Sequence, residues 1–513
     1  MDFINFETEV NSITFSSPAE GLELEYKTSS FSLPNSFWET VSSFANTAGG
    51  LIVLGVSENK EAHTYTIEGV DDIEGVRQSL FNDNNNPSCI SKPVITDQDV
   101  RITAYRGRKL IQIQIHPEQY NLRPVKCRDT AYVRTDDGDR KATEDQLQYF
   151  LIEQQRNIDT ELLNNFDISD LNIKTVKQYQ DELVERTTFE NYQTQDVQEL
   201  LNDLGVFRRD RTSSEQKYKL CKGGLLFFGK LNSIMDVYPH FQLDYRKYSS
   251  DKAEDWIDRV SSGDLNFPDL NIFSFYKLVL PKLQSSVPDK YLQDNNLTRG
   301  SYFSDLQSAA KEALVNALMH AYYNGQTAIK IIDRPSYFEF SNPGEMRVSE
   351  ESFLRGRDSV TRNDEIAMLF RKAGISEKAA SGGPRILRAA TRNHLLDPEV
   401  MVDYERNVTT IRVWKVDVVS YIDSEIKLDE AEKFIIDYLN DHGAFKFKDI
   451  FDATGSQFGS KSTFRKKLQH LIDENIILAE GNGRSVRYVF ARTEEQMRVD
   501  RVKLVKELEK KLL

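Results

Sequence analysis

Ser304-Asp-Leu-Gln-Ser-Ala-Ala-Lys-Glu-Ala-Leu-Val-Asn-Ala-Leu-Met-His-Ala321 decides how the rest of the chain is read. Leu306, Ala309, Ala310, Ala313, Leu314, Ala317, Leu318 and Ala321 recur at helical spacing. That spacing predicts an amphipathic helix, with Ser304 capping its start and Asn324-Gly325 just past its end. Glu312 and Asn316 stand four apart and project from one face. On these residues alone two readings stand. The pair belongs to an ordinary solvated polar stripe. Or the Glu orients or deprotonates a water while the Asn carbonyl ligates Mg²⁺, an ion that usually holds substrate phosphates as well.

The chain that follows favours the second reading. Thr327-Ala-Ile-Lys-Ile-Ile-Asp333 predicts a strand, and Tyr337-Phe-Glu-Phe-Ser341 alternates as another. Asn342-Pro-Gly344 predicts a tight turn. Arg362-Asn363, Ile366-Ala367, Phe370, Gly374 and Glu377 come next, and then Ser381-Gly-Gly-Pro-Arg-Ile386 leads into a helix. Gly382 and Gly383 let backbone N–H groups approach an anion, and the helix start adds a favourable dipole.

Glu312-x3-Asn316, Asn342-Pro-Gly344 and Ser381-Gly-Gly-Pro-Arg-Ile386 together resemble the N-box and the two glycine boxes of the gyrase/histidine-kinase-type (GHKL, Bergerat) ATPase fold. The nearest variant is that of bacterial Schlafen-related proteins. The resemblance implies ATP with Mg²⁺ on an α/β sandwich. It makes Glu312 the general base, Asn316 the Mg²⁺ ligand and Gly382–Gly383 the phosphate cradle, with Asn342, Gly344, Ser381 and Arg385 in the nucleotide-binding set. Asn342 stands where the wider superfamily has an Asp that accepts from the adenine amino group. Its amide oxygen can accept the same bond, without charge.

The chain has 513 residues, enough for three or four domains, and its 39% apolar and 28% charged content suits globular cores. A net charge of −14 argues against a wholly basic nucleic-acid coat but leaves room for local basic surfaces. Cys89, Cys127 and Cys221 are too widely spaced for a disulfide framework or a zinc site. No apolar run reaches membrane length, and the first residues lack a basic region ahead of an apolar one, so a cytoplasmic location is expected. Asn82-Asp-Asn-Asn-Asn-Pro87 reads as a loop.

Near the N-terminus the pattern is α/β. Leu22–Tyr26 alternates as a strand, and Phe37, Trp38, Val41, Phe44 and Ala45 make a helical stripe closed by Gly49-Gly50. Leu51–Val56 is an apolar strand, Val100–Tyr105 and Leu110–Ile115 form a hairpin, and Ala131–Arg134 is a further strand. Glu20, Glu25 and Glu58 lie at strand ends. Carboxylates so placed are usually solvated, yet they can also hold a divalent metal for phosphodiester cleavage. Glu20-Gly-Leu-Glu-Leu-Glu25-Tyr-Lys27, Phe44-Ala-Asn-Thr-Ala-Gly-Gly50, Gly55-Val-Ser-Glu58, Arg123-Pro124 and Tyr132-Val-Arg134 resemble the AlbA-type Schlafen domain over roughly the first 145 residues. In nuclease members of that family two glutamates and an aspartate bind metal and cut RNA. Glu20 and Glu25 fall where the glutamates do, and Ser57 or Glu58 takes the place of the aspartate. The implied site holds Mg²⁺ or Mn²⁺, with Lys27 meeting a phosphate. Arg123, Lys126, Arg128, Arg134, Arg140 and Lys141 form a basic stretch that either follows a nucleic-acid backbone or is a solvated face.

In the middle of the chain, Gln146–Gln155 reads as a helix, and Val197–Leu204 as one ending at Gly205. Gly224-Leu-Leu-Phe-Phe-Gly-Lys230 matches the start of a phosphate-binding P-loop, but Leu231 stands where a Ser or Thr should meet Mg²⁺, and the apolar run predicts a buried strand instead. Gln242–Arg246 predicts a strand and Ile272–Leu280 a helix. From Glu432 onward, helix–helix–helix–hairpin forms a winged helix-turn-helix pattern. Its third helix begins at Ser460 and carries Lys461, Arg465, Lys466 and Lys467, while Arg484 and Arg487 lie in the wing. These would face phosphates or bases, although such modules also serve as dimer or protein-docking units. Beyond Glu494 a last helix is expected.

The expected class is therefore multidomain α/β: an AlbA-type domain over 1–145, a connector over 146–300, a GHKL-type domain over 301–424, a winged helix over 425–492 and a helix over 493–513. This order resembles one bacterial Schlafen-related family. Two functions fit it. One is an ATP-controlled effector that binds and cleaves RNA or DNA, in a setting such as phage defence. The other is a non-catalytic, ATP-responsive DNA-binding regulator. Both make nucleic acid the partner, and both favour a homo-oligomer.

Overall fold

The computed structural model describes residues 22–59, 64–105, 107–135, 138–155, 158–186, 191–212, 214, 216–287, 301–376, 381–453, 457–481 and 486–491. Glu20, Glu377, Arg484 and the helix expected over 493–513 lie outside them. The described residues divide into two compact units, one within Met1–Ile158 together with Asp403–Asn407, the other within Asp159–Val402 and Val408–Leu513.

The first unit contains β1 (Leu24–Lys27), α1 (Phe37–Asn46), β2 (Gly50–Leu54), β3 (Val56–Asn59), β4 (Thr64–Ile67), α2 (Ile73–Asn84), β5 (Val100–Tyr105), β6 (Arg108–Ile115), β7 (Lys126–Cys127), β8 (Thr130–Thr135), β9 (Gly138–Lys141) and α3 (Glu144–Glu153). Its main sheet runs β1-β2-β6-β5, with β1 parallel to β2 and the other pairs antiparallel. Every residue of β2 is buried because both faces of the sheet are covered. Ile52 and Leu54 join the cluster built with Phe37, Val41 and Phe44, while Leu51 and Val53 join Leu24, Tyr26 and Tyr65 on the other side.

Asn46 fixes α1 to the small β7-β8-β9 sheet. Its fully buried amide donates to the carbonyls of Val125 (2.8 Å) and Tyr132 (2.9 Å) and accepts from the Val125 N–H (2.7 Å). The Ala-Asn-Thr-Ala-Gly-Gly stretch is thus a structural knot. Gly49 completes it with φ +79°, packed so close to the Ile115 carbonyl that a Cβ would sit 2.6 Å from the oxygen. Two expectations need correction here. The strand expected over Leu51–Val56 breaks at Gly55, which has φ +97° and leaves no room for a Cβ against Gly69. Asn82, Asp83 and Asn84 do not form a loop; they complete α2, where the Asn84 amide is buried and binds the Ile95 carbonyl at 2.9 Å.

The second unit begins with α4 (Ile173–Arg186), α5 (Asn191–Thr194), α6 (Val197–Leu204), β10 (Phe207–Arg209), β11 (Tyr218–Leu220), α7 (Lys222–Phe228), α8 (Leu231–Val237), β12 (Leu243–Tyr248), β13 (Trp256–Ser261) and α9 (Ile272–Ser285). It continues through α10 (Ser301–His320), β14 (Ile329–Asp333), β15 (Tyr337–Pro343), α11 (Glu350–Arg355), α12 (Asp364–Lys372), α13 (Gly382–Arg392), β16 (Glu399–Asp403) and β17 (Val408–Trp414). A mixed sheet of order β13-β12-β14-β15-β17-β16 forms its centre, with β12 parallel to β14. α10 is a core helix: Leu306, Ala309, Ala310, Ala313, Leu314, Ala317, Leu318 and Ala321 are all buried in one cluster with residues of α7, α9, α12 and the sheet. The small Ala side chains let neighbouring helices approach closely.

Three further expectations change in this unit. α10 begins at Ser301, so Ser304 lies within the helix and does not cap it. Asn342 and Pro343 end β15 and do not form a turn; the chain turns at Gly344, with φ +101°. The apolar run Gly224–Phe228 is helical, in α7, not a strand. Short runs buried on all sides carry no periodicity to separate the two. Here Cys221 accepts from the Gly224 N–H at 3.3 Å and starts the helix, while Gly223 and Gly224 fit where a Cβ would strike Glu365 and Val206 at 2.6 Å.

Beyond the sheet come α14 (Val418–Glu425), α15 (Glu430–His442), α16 (Phe447–Ala453), α17 (Lys461–Asp473) and the antiparallel pair β18 (Ile477–Glu480) and β19 (Arg487–Phe490). Ile435, Ile436, Leu439, Ile450, Phe464, Leu468, Leu471 and Ile477 form their core. The Ser460 hydroxyl accepts from the Thr463 N–H at 3.3 Å and caps α17. Among the described residues no helix is long and apolar enough to cross a membrane.

The central sheet holds a fully buried ion pair. Lys415 Nζ lies 2.7 Å from Asp333 Oδ1, with the two side chains 1% and 2% exposed, and Tyr245 donates to Asp333 Oδ2 at 3.0 Å. Removing one partner leaves the other charge buried and uncompensated. Asp333→Ala is therefore expected to lower unfolding stability by about 3–5 kcal/mol in urea titrations. A loss under about 1 kcal/mol would show that the pair does not hold the sheet.

Candidate functional site

α10 and α13 pack along each other, and they come closest where α13 begins. A Cβ on Gly382 would lie 2.6 Å from Asn316 Nδ2 and 3.3 Å from Glu312 Oε2. A Cβ on Gly383 would run into the backbone carbonyl of Phe353. Neither glycine has a positive φ, so the pair is required for close approach and not for a left-handed backbone. Glu312 is buried and forms an ion pair with Arg385, in the first turn of α13. One helical turn along α10, Asn316 Nδ2 is buried with no hydrogen-bond partner. An unmatched buried polar group of this kind costs about 1–3 kcal/mol, which a ligand that supplies the partner offsets.

Beside this contact is a pocket enclosing ≈ 700 Å³ of atom-free space, part of it open to solvent. Asn316, Asn342, Gly382 and Gly383 line it, and Glu312, Gly344, Ser381 and Arg385 stand outside its walls. Sequence reasoning missed His320, Arg347, Asp358 and Thr409, which also line it. His320 lies on α10 four residues after Asn316, so the helical spacing that pairs Glu312 with Asn316 could have found it. No spacing or motif marks the other three, which strand pairing and loop path bring in. Asn342 lies opposite Thr409 in the sheet, and the Thr409 hydroxyl donates to the Gly344 carbonyl at 2.7 Å. Asn342 Nδ2 donates to the Pro343 carbonyl at 3.1 Å, so the amide has its oxygen, an acceptor, left to offer a ligand. Burial, with Arg362 and Arg347 adding to it, lowers the His320 pKa to about 4, so its ring is neutral at neutral pH.

Arg362 and Asn363 position the C-terminal end of α10. Asn363 Nδ2 donates to the carbonyls of Met319 (2.9 Å) and Ala321 (2.8 Å), and Arg362 donates to those of His320 and Glu345. These side chains satisfy carbonyls that a helix end leaves unmatched. α12 starts directly after them, and its start is held in turn by Asp159, whose Oδ2 accepts from the N–H groups of Glu365 (2.8 Å) and Ile366 (3.0 Å). Glu365 is fully buried and paired with Arg208. Burial raises Glu365 to about 7 and Asp159 to about 6, in each case against a smaller opposing effect from its hydrogen-bond or ionic partners.

In the first unit Glu25 is bound on both oxygens. Oε1 meets Lys27 Nζ at 2.8 Å and Oε2 meets Arg134 Nη2 at 2.8 Å. Arg134 also binds Asp139 at 3.0 Å, and Asp139 accepts from the hydroxyls of Thr40 and Ser43. Arg134 is only 1% exposed and lies over the Phe44 ring, 5.1 Å from its centroid. The expectation that it faces a nucleic-acid backbone is therefore corrected: it is the hub of a buried charge network. Arg123 is corrected likewise. It is buried and donates to the carbonyls of Glu118 (2.9 Å) and Thr47 (3.0 Å). Lys126, Arg128, Arg140 and Lys141 remain exposed. Glu58 sits on β3, opposite Tyr65. Among the described residues no three His, Cys, Asp or Glu side chains gather as a metal site, and Glu20 lies outside those residues. Asp139 is the acidic residue that sequence reasoning missed, and no local signal marks it.

On α17, Lys461, Arg465 and Lys466 are exposed, as is Arg487 on β19. Lys467 is half-buried and pairs with Asp429 (2.5 Å) and Glu432 (3.6 Å), which neutralise it, so it is the weakest of this set as a phosphate contact.

Comparison with known proteins adds the following. Residues 20–143 match the family model described as "Schlafen, AlbA_2", and residues 328–411 match "Putative ATP-dependent DNA helicase recG C-terminal". Residues 148–244 match "Domain of unknown function (DUF8451)". The second match runs from the start of the central sheet's β14 into β17, so α10, with Glu312 and Asn316, lies outside it. No curated protein matches the chain. Among solved structures, the DIP2311 protein from Corynebacterium diphtheriae is similar at 15% identity over 91% of this chain and 95% of its own, with a TM-score of 0.37. The N-terminal domain of a "Putative ATP-dependent DNA Helicase RecG-related Protein" from Nitrosomonas europaea is similar at 22% identity over 24% of this chain and 85% of its own, with a TM-score of 0.20.

Folding raises Glu365 from 4.5 to about 7 and Asp159 from 3.8 to about 6, so the folded chain keeps protons that the unfolded chain has released. Their contribution to stability is present at low pH and is lost as pH rises toward 7. Glu365→Gln, which keeps the neutral shape, is expected to gain stability over the wild type steadily from about pH 5 to about pH 8 in urea titrations. A difference that does not change with pH would contradict this.

Proposed function

We propose that the chain is an ATP-binding nucleic-acid effector in which nucleotide occupancy of the pocket beside α10 and α13 controls binding and metal-dependent cleavage of RNA or DNA. The observation that carries this reading is the close approach of the Gly382 backbone to Glu312 and to an unmatched Asn316 amide, beside a pocket that Asn316, Gly382 and Gly383 line. Asn316 would hold Mg²⁺ through its amide oxygen, and the ion would neutralise phosphate charge. The N–H groups at the start of α13 would take the phosphates. Glu312 is the carboxylate placed to orient or deprotonate a water. Asn342 offers an acceptor suited to an exocyclic amine.

The AlbA-type and RecG-C-terminal-type matches support a nucleic-acid setting. The same reading makes 301–424 a GHKL-type module and 425–492 a winged helix, with 1–145 and 146–300 as the AlbA-type domain and connector, in a homo-oligomer. Lys461, Arg465, Lys466 and Arg487 would meet nucleic acid from the winged helix, and Lys126 and Arg128 from the first domain.

A second reading, the non-catalytic ATP-responsive regulator, is favoured by one observation. Both oxygens of Glu25 are held by cations in a buried network, which leaves that carboxylate poorly suited to a metal. In this reading the first domain binds and does not cut.

Two measurements test these readings. Titration calorimetry of the full chain with ATP and Mg²⁺ is expected to give a saturable signal, weakened at least about tenfold in Asn316→Ala or without Mg²⁺. An absent signal, or one that Asn316→Ala leaves unchanged, would remove the nucleotide from the account. Incubation with tRNA, ssDNA and dsDNA plus Mg²⁺ or Mn²⁺ then separates effector from regulator. Cleavage lost in Glu25→Ala supports the effector, and salt-sensitive binding without cleavage supports the regulator.

A further inference from the structure

Arg385 belongs to the same short motif as the glycine pair, yet it stands outside the pocket, engaged with Glu312 across the α10–α13 contact. The geometry makes the two groups competitors. Glu312 Oε1 takes the Arg385 guanidinium, while Glu312 Oε2 faces Gly382, where the phosphates would arrive if the nucleotide reading holds. The Arg385 side chain is 27% exposed and that of Glu312 only 7%, so the arginine is the partner with room to move. It projects from the first turn of α13, one turn from the N–H groups at Gly382 and Gly383.

We propose that Arg385 determines whether the site distinguishes a nucleoside triphosphate from a diphosphate, and does so by exchanging Glu312 for the terminal phosphate. This rests on the nucleotide reading above and deepens it. A guanidinium pairs with a phosphate at least as well as with a carboxylate, through two parallel N–H bonds. A diphosphate lacks the outermost group and leaves the Arg385–Glu312 pair closed. A triphosphate draws Arg385 away and separates it from Glu312. In the closed state the carboxylate that would act on water is neutralised by its own arginine, so the site is inactive until a triphosphate arrives. Arg385 is thus a specificity-determining residue, and Glu312 opposes triphosphate binding as well as serving the chemistry.

This has a consequence that a purely catalytic Glu312 would not have. Removing the carboxylate charge should tighten binding of a triphosphate. The test is titration calorimetry of the full chain with Mg²⁺ and either ADP or a non-hydrolysable ATP analogue, comparing wild type, Glu312→Gln, Arg385→Gln and the double variant. Glu312→Gln is expected to raise the preference for the analogue over ADP about tenfold above that of wild type. Arg385→Gln is expected to remove the preference for the analogue over ADP, and the double variant to show no gain from Glu312→Gln. Cooperative thermal unfolding of each variant shows that it is folded. If Glu312→Gln leaves the analogue-to-ADP ratio unaltered, or the gain survives in the double variant, the exchange does not occur although the nucleotide reading stands. If neither nucleotide binds the wild type, the nucleotide reading fails and the exchange with it.

Discussion

The backbone of α13 can lie against both α10 and α11 only because positions 382 and 383 carry no side chains. One would collide with Asn316, the other with the Phe353 carbonyl. That steric constraint brings a helix start, a carboxylate and an unmatched amide to one place. Much of the second unit serves to hold it. The Ala-rich faces of α10 bury it in the core. Arg362 and Asn363 satisfy its C-terminal carbonyls, and Asp159 holds the helix that follows them. Thr409 and Gly344 shape the strand end opposite.

The first unit shows a different use of charge. Arg134, buried under Phe44, joins Glu25 and Asp139, and Lys27 closes the row. Burying two cations, Arg134 and Lys27, is tolerable because the half-buried carboxylates of Glu25 and Asp139 meet them, and Thr40 and Ser43 add hydrogen bonds to Asp139. Residues that a linear reading assigns to substrate are thereby engaged with one another. The exposed cations that remain, Lys126, Arg128, Arg140 and Lys141, are those without such a role.

What could be read from the sequence followed periodicity. α10, β2 and the β5–β6 hairpin announce themselves because one face, or both, must be apolar. α7 does not. Its Leu-Leu-Phe-Phe run is buried all round, and the choice of helix is made by Cys221 at its start and by Gly223 and Gly224 fitting against α12 and Val206. The candidate nucleotide site was visible as spacing, since Glu312, Asn316, Gly382 and Gly383 carry a pattern. The ion pair between Glu312 and Arg385 was not visible, because no rule of spacing says which of two motif residues meets the other and which meets the ligand. Buried assignments such as Arg123 and Arg134 failed for a related reason: a cation in a strand or loop looks the same in one dimension whether it faces water or a carboxylate.

The central claim is that a nucleotide's phosphates, with Mg²⁺, lie between the Gly382–Gly383 backbone and Asn316. A structure of the full chain with a non-hydrolysable ATP analogue and Mg²⁺ tests this most directly. The expected result is the terminal phosphates against the start of α13, with Asn316 Oδ1 in the coordination shell of the ion. A nucleotide bound elsewhere, or a saturating concentration that leaves the α10–α13 contact empty, would contradict it.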